Sequence, residues 1–417
     1  MLFLPDLHPV RHTNLYKHLP TAKRATTTMP STDKDKKIID LVFGTRPNII
    51  KAAGLYAAWQ ENAGDWPFHL RLVDTGQHWD DTLSQNQRLA LGLPEPACNL
   101  GIGKVLAGQN RNSVDNGATN SDWRETVISA AAHAYERLVK TAPPTASIAI
   151  GDVNGSVGIT RAAARQGVSL FHLEAGLRGG SDAIAEEANR RELDHICQYL
   201  WAPDDTALAN LVAEGISTDR IAVTGNIMID TLVRWAPLAP ATATADGADA
   251  VAGGQHPILV TIHRAENLAP LGRFRDILSG ISAIAQDHPV TWPQHPRTRQ
   301  QIEKTDWAKQ TPGNICLLPA LTYPDFMAQL HQAKLVITDS GGILEECAYL
   351  GKRTVILRPR TERPHAMAHC GFLHATPHDL PQQTAQALQN TPSPFRPAGW
   401  DGNAAIRMLE DITSRLF

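Results

Sequence analysis

Three carboxylates in the first half of the chain, Asp152, Glu174 and Glu186, are placed where a proton could be removed from a ligand and returned to it. Asp152 follows the apolar run Ser147–Ile150, and Glu174 follows Val168–Leu173, so both stand at strand ends. Like charges brought together raise one another's pKa, which turns one carboxyl into an acid near neutrality while another stays a base. The second half carries the complement. Ser340-Gly341-Gly342 follow a β-branched run and open a helix, where bare backbone N–H groups and the helix dipole favour an anion. Glu345 and Glu346 are expected in that helix's first turn, where a carboxylate could accept ribose hydroxyls, and Arg358, Arg360 and Arg363 crowd the next strand end, which suits a diphosphate.

Further polar groups fall at strand ends: Arg46 with Lys51, Gln77 with His78, His263 with Arg264, and His295. Each has an ordinary structural use. Asp152 could cap a helix, and Glu174 could pair with Arg178 four residues on. Glu186 and Glu187 suit a helix dipole, Arg46 and Lys51 a solvated helix face, and His263 a satisfied strand end. His172, between Phe171 and Leu173, reads as a packed side chain.

The elements that must hold these groups alternate strand and helix. Strands are expected at Lys37–Phe43, Phe68–Val73, Ser147–Ile150, Val168–Leu173 and Ile221–Val223. A second series follows at Ile258–Ile262, Val290–Trp292, Ile315–Leu318, Leu335–Ile337 and Thr354–Leu357. Glu186–Leu200 reads as one helix, with Leu193, Ile196, Cys197 and Leu200 on one face. Strands interleaved with helices imply parallel sheets, so the fold class is α/β, with two Rossmann-like domains facing a cleft. The expected divisions are a poorly structured leader (1–36), a first domain (37–235), an Ala/Thr/Pro/Gly linker (236–256), a second domain (257–399) and a closing helix (400–417). The Asn-rich stretch 104–122 reads as a long surface loop.

Composition narrows the class. Hydrophobic content of 42% and charge content of 19% over 417 residues are those of an ordinary globular protein with room for two cores. A net charge of −3 supplies no basic field for nucleic acid. Five scattered cysteines without metal spacing point to a reducing compartment. No apolar run reaches membrane-spanning length, and the apolar start is broken by Pro5 and Asp6, so the expected compartment is the cytoplasm.

The segments FGTRPNIIK, TGQH, Gly151-Asp152, HLEAGLR, EEANRRELDH, VTGN, TIHRAEN, QHPRTR, TDSGGILEE and RTERP succeed one another across residues 38 to 370. In that order they resemble the non-hydrolysing UDP-N-acetylglucosamine 2-epimerases. The resemblance implies a glycosyltransferase-B-like fold, a last helix crossing back onto the first domain, a homodimer, and no metal or redox cofactor. It implies interconversion with UDP-N-acetylmannosamine, by elimination of UDP to a 2-acetamidoglucal and re-addition, for surface polysaccharide synthesis. Asp152, Glu174 and Glu186 then become the acid and base groups, and His263 assists the leaving group. Arg46, Lys51, Arg178, His295, Ser340, Gly341, Gly342, Glu346, Arg358 and Arg363 become substrate-binding residues, and Gln77 and His78 remnants of a regulatory site. A related epimerase acting on UDP-2,3-diacetamido-2,3-dideoxyglucuronate stays open, with Arg178, Arg190 or Arg191 meeting its extra carboxylate. A glycosyltransferase of the same fold also stays open.

Overall fold

The computed structural model describes residues 36–77, 81–106, 120–179, 185–236, 256–358, 361, 363–373 and 376–417. The leader up to Asp35, linker residues 237–255, residues 107–119 of the Asn-rich stretch, His78 and Arg360 lie outside the described residues.

Among the described residues the chain forms two parallel sheets. The first contains β1 (Lys37–Phe43), β2 (Phe68–Asp74), β3 (Cys98–Asn99), β4 (Ala146–Ile150), β5 (Ser169–Leu173), β6 (Tyr199–Ala202) and β7 (Ile221–Val223). The second contains β8 (Ile258–Thr261), β9 (Val290–Pro293), β10 (Ile315–Leu318), β11 (Leu335–Thr338), β12 (Thr354–Ile356) and β13 (Gly371–Leu373). Their strand orders are β3-β2-β1-β4-β5-β6-β7 and β10-β9-β8-β11-β12-β13. Helices cover both faces, so central strands are buried on both: β4 is buried at every position. In both sheets the order reverses beside the first strand, between β1 and β4 and between β8 and β11. Such switch points leave a crevice at the carboxyl ends of the strands.

One apolar cluster joins the two halves. It takes Ile39, Leu55 and Ile229 from the first half and Met327, Leu344 and Cys347 from the second. The helix Ala404–Leu416 returns to the first half, where Asp230 accepts from the amides of Ala404 (3.1 Å) and Ala405 (2.7 Å). Trp201 Nε1 also donates to Asp411 Oδ2 at 2.8 Å. Trp400 precedes this helix rather than opening it.

The expected helix Glu186–Leu200 is shorter than its periodicity suggests. It runs Ala185–Ile196, and Tyr199–Ala202 is strand β6, paired with both β5 and β7. A four-residue apolar run has no period of its own, so spacing alone merges it with the preceding helix. The short strands β3 and β13 escape detection for the same reason.

Candidate active site

The first switch point collects Arg46, Asn48 and Lys51 from the helix Arg46–Glu61 and the Gly151-Asp152 turn after β4. Lys51 faces inward and is buried, so the solvated-face reading fails for it. Its Nζ donates to Glu174 Oε2. Glu174 is the one non-glycine residue among those described with a positive φ, 72°. A side chain in that region costs of order 1 to 3 kcal/mol and persists only where its surroundings hold it. Asn48 Nδ2 donates to the Ile150 carbonyl at 3.0 Å, pinning the strand end beside it. Asp152, on the strand next to that of Glu174, is held by Arg190 at 2.7 Å. Asn189 Nδ2 bonds the Asp152 carbonyl, also at 2.7 Å. Gln77 lies nearby: a Cβ added at Gly155 would meet its Oε1 at 2.8 Å.

The second switch point carries His263 after β8 and Asp339-Ser340 after β11. His263 Nδ1 lies 3.0 Å from Asp339 Oδ1. Asp339 is fully buried and also accepts from Arg264 N (2.9 Å) and Asn267 Nδ2 (3.0 Å). Burial would raise this carboxyl, but the hydrogen bond and charge of His263, helped by Asn267 and the Arg264 amide, bring it below its ordinary value. The His263 ring stands 5.9 Å from that of His295, which caps the helix Pro296–Glu303. Ser340 occupies the N-cap of the helix Gly341–Leu350, and a Cβ added at Gly342 would meet the Met228 methyl at 4.0 Å. Arg358 is buried just beyond β12.

Polar contacts also cross between the halves. Arg46 Nη2 donates to the Leu321 carbonyl at 2.6 Å, and Tyr323 N donates to Gln87 Oε1 at 3.1 Å. Arg363 bridges carboxylates of both halves, with Nε 2.9 Å from Glu345 Oε1 and Nη2 3.8 Å from Glu174 Oε1. Glu345 and Glu346 occupy the second turn of their helix, not the first, because the helix begins at Gly341. Both are buried. Burial raises Glu345 to about 7 against the pull of Arg363, with the Glu174 charge adding to the rise. Glu346 accepts from Tyr323 Oη at 2.8 Å and is pushed by burial to about 8.

Some expected site residues are placed elsewhere. Arg178 does not pair with Glu174: it binds Asp194 Oδ2 (2.7 Å) and Glu214 Oε2 (2.6 Å). Glu186 is exposed at the start of its helix, whereas Glu187 is buried and binds Arg190 at 2.8 Å. Asp339, Tyr323 and Asn48 join the site although sequence reasoning gave them no separate part. Asp339 had a legible signal, an acid closing an apolar strand immediately before the Gly-rich turn. Tyr323 had none.

Residues 60–413 match the family model described as UDP-N-acetylglucosamine 2-epimerase. The UDP-N-acetylglucosamine 2-epimerase of Escherichia coli K12 is 31% identical over 399 residues, 89% of this chain and 97% of that protein. The enzyme of the same name from Methanocaldococcus jannaschii is 29% identical over 334 residues, 79% of this chain and 86% of that one. A crystal structure of the M. jannaschii enzyme in complex with UDP-GlcNAc and UDP superposes with a TM-score of 0.77 at 26% identity, covering 90% of this chain and 99% of that one.

Proposed function

This chain belongs to the UDP-N-acetylglucosamine 2-epimerase family, and from that premise we propose that it interconverts UDP-N-acetylglucosamine and UDP-N-acetylmannosamine. The observation that carries the reading is Glu174, held in a strained conformation between Lys51 of one half and Arg363 of the other. The hydrogen on the acetamido-bearing carbon is not acidic, so epimerisation proceeds by elimination. The C2–H and C1–O bonds break, a C1=C2 bond forms, and UDP leaves. UDP then re-forms the C1–O bond while a proton is delivered to the opposite face of C2, with no net oxidation. Asp152, Glu174 and Glu186 are the acid and base groups in this reading, two of them on neighbouring strand ends.

His263, oriented by Asp339, faces the departing diphosphate. Arg46, Lys51, His295, Ser340, Gly341, Gly342, Arg358 and Arg363 supply cations and amides to it. Glu346 meets the ribose. Gln77 stands beside the turn that carries Asp152, the place for a second-site role. The alternative sugar, with an additional carboxylate, would need a cation from Arg178, Arg190 or Arg191. All three are in ion pairs with Asp194, Glu214, Glu187 or Asp152, which favours the simpler substrate. The product would feed surface polysaccharide synthesis, and the enzyme would act as a cytoplasmic homodimer, which analytical ultracentrifugation can read. The test of the chemistry is proton NMR with UDP-N-acetylglucosamine in deuterated water. Deuterium at C2 of a manno product is the expected result. No exchange there, with exchange in the diacetamido-uronate nucleotide, would replace the substrate.

A further inference from the structure

Behind the turns that carry Asp152 and Glu174 lies a histidine without solvent contact. His172, in β5, is fully buried, and so is Asp194 from the helix Ala185–Ile196. His172 Nδ1 stands 2.7 Å from Asp194 Oδ1, and its Nε2 stands 3.2 Å from the Gly151 carbonyl oxygen. A carbonyl only accepts, and so does an ionised carboxylate. A neutral imidazole has one N–H and would turn a lone pair on one of them, a repulsive contact in a site that water cannot relieve. We infer that His172 is a buried imidazolium and a positioning residue for the reaction, tying the backbone before Asp152 to the backbone beyond Glu174.

The surrounding charges fit a cation here. Asp194 Oδ2 accepts from the Gly176 amide (3.2 Å) and from Arg178 Nη2 (2.7 Å). Arg178 pairs with Glu214, Glu214 with Arg191 (2.5 Å), Arg191 with Glu187 (3.7 Å), and Glu187 with Arg190. Arg190 ends the chain on Asp152. From His172 to Asp152 the signs alternate without a break, provided that His172 carries its charge. The remaining neighbours do not compete: Arg220 donates to the Asp194 main-chain carbonyl at 3.1 Å, and burial holds the Cys197 thiol neutral. Burial would raise Asp194, but His172 and Arg178 outweigh it and bring the carboxyl below its ordinary value.

The pair also explains how two left-handed turns stay in place. Gly151 (φ 63°), Glu174 (φ 72°) and Gly176 (φ 83°) are all left-handed. The imidazolium binds the carbonyl of the first, and its carboxylate partner binds the amide of the third. Released from these bonds, the turns relax, and a displacement of about 1 Å in a catalytic group costs on the order of a hundredfold in rate.

The kinetic part of this inference rests on the epimerase reading; the protonation state does not. The test is nitrogen-15 NMR of histidine-labelled wild-type enzyme at pH 7.5, with His172 identified by through-bond correlation to its backbone. Two protonated ring nitrogens are expected, and a neutral tautomer would overturn the assignment. In His172→Gln, kcat for deuterium exchange should fall about a hundredfold, with KM and UDP affinity within twofold of wild type. A wild-type kcat would overturn the positioning role. Should that variant fail to fold, the wild-type spectrum decides alone. An imidazolium in an enzyme that exchanges nothing would overturn the epimerase reading while supporting the buried charge.

Discussion

Replacing Glu346 with glutamine should make the protein more stable, and increasingly so as pH rises. Glu346 is 1% exposed, and burial raises its carboxyl from 4.5 to about 8; the Tyr323 hydrogen bond and Arg46 oppose this, and Glu345 adds to it. A group with a raised folded pKa contributes its full stability below the unfolded value and loses it as pH climbs through the folded value. At 1.36 kcal/mol per pH unit, the wild type gives up about 5 kcal/mol between pH 4.5 and pH 8 through this one group. Glutamine keeps the size, still accepts from Tyr323 Oη, and has no such slope. The stability gap between Glu346→Gln and wild type should therefore widen by about 3 kcal/mol from pH 6 to pH 9. Urea denaturation read by tryptophan fluorescence at pH 6, 7.5 and 9 measures it. Unfolding curves that keep a constant separation across that range would refute the reasoning. The same carboxyl links to binding, because a carboxylate that accepts ribose hydroxyls is ionised. UDP binding at pH 7 should then release protons, which calorimetry in two buffers of different ionisation enthalpy reads.

Glu174→Gln should lower C2 deuterium exchange by about 10² to 10⁴ while UDP still binds, as expected for a group that transfers a proton; exchange near the wild-type rate would remove Glu174 from the chemistry. Gly225→Ala should cost at least about 1 to 3 kcal/mol, because Gly225 has φ 91° and its added Cβ would fall 2.1 Å from the Gly399 carbonyl oxygen. Hydrogen exchange should show the loss first in the amides of Ala404–Leu416, which the Gly399 segment leads into. Asp230→Ala removes the acceptor for the Ala404 and Ala405 amides and should cost about 1 to 2 kcal/mol, as for a lost helix cap, visible as faster exchange at the same helix start.

The fold was legible where hydrophobic runs were long enough to have a period. β1 was readable to the residue, and β2 and β4 to within one, because their apolar runs stand out from polar flanks. Strand ends then placed Arg46, Asp152, His263 and Ser340 at the two switch points, a purely topological consequence of where apolar runs stop. β6 was lost because its four residues follow a helix with no breaker between them. The helix carrying Glu346 starts two residues earlier than its apolar period, since Gly341 and Gly342 are poor helix formers that tertiary context nonetheless recruits.

Side-chain partners were not legible, and the reason is distance along the chain. The sequence offers Glu174 a cation at i+4, but Arg178 is taken by Asp194 and Glu214, while Glu174 meets Lys51, 123 positions earlier, and Arg363 from the other sheet. Local spacing predicts a pair only when the intervening residues are helical, and those after Glu174 form a turn. The strained residue of this turn, at φ 72°, is the one that meets both distant cations. The inward side of the helix Ala185–Ile196 reaches the same turns. Arg190 and Asp194, one turn apart on it, grip the turns of Asp152 and Glu174 separately, so a single rigid helix sets the distance between the two carboxylates.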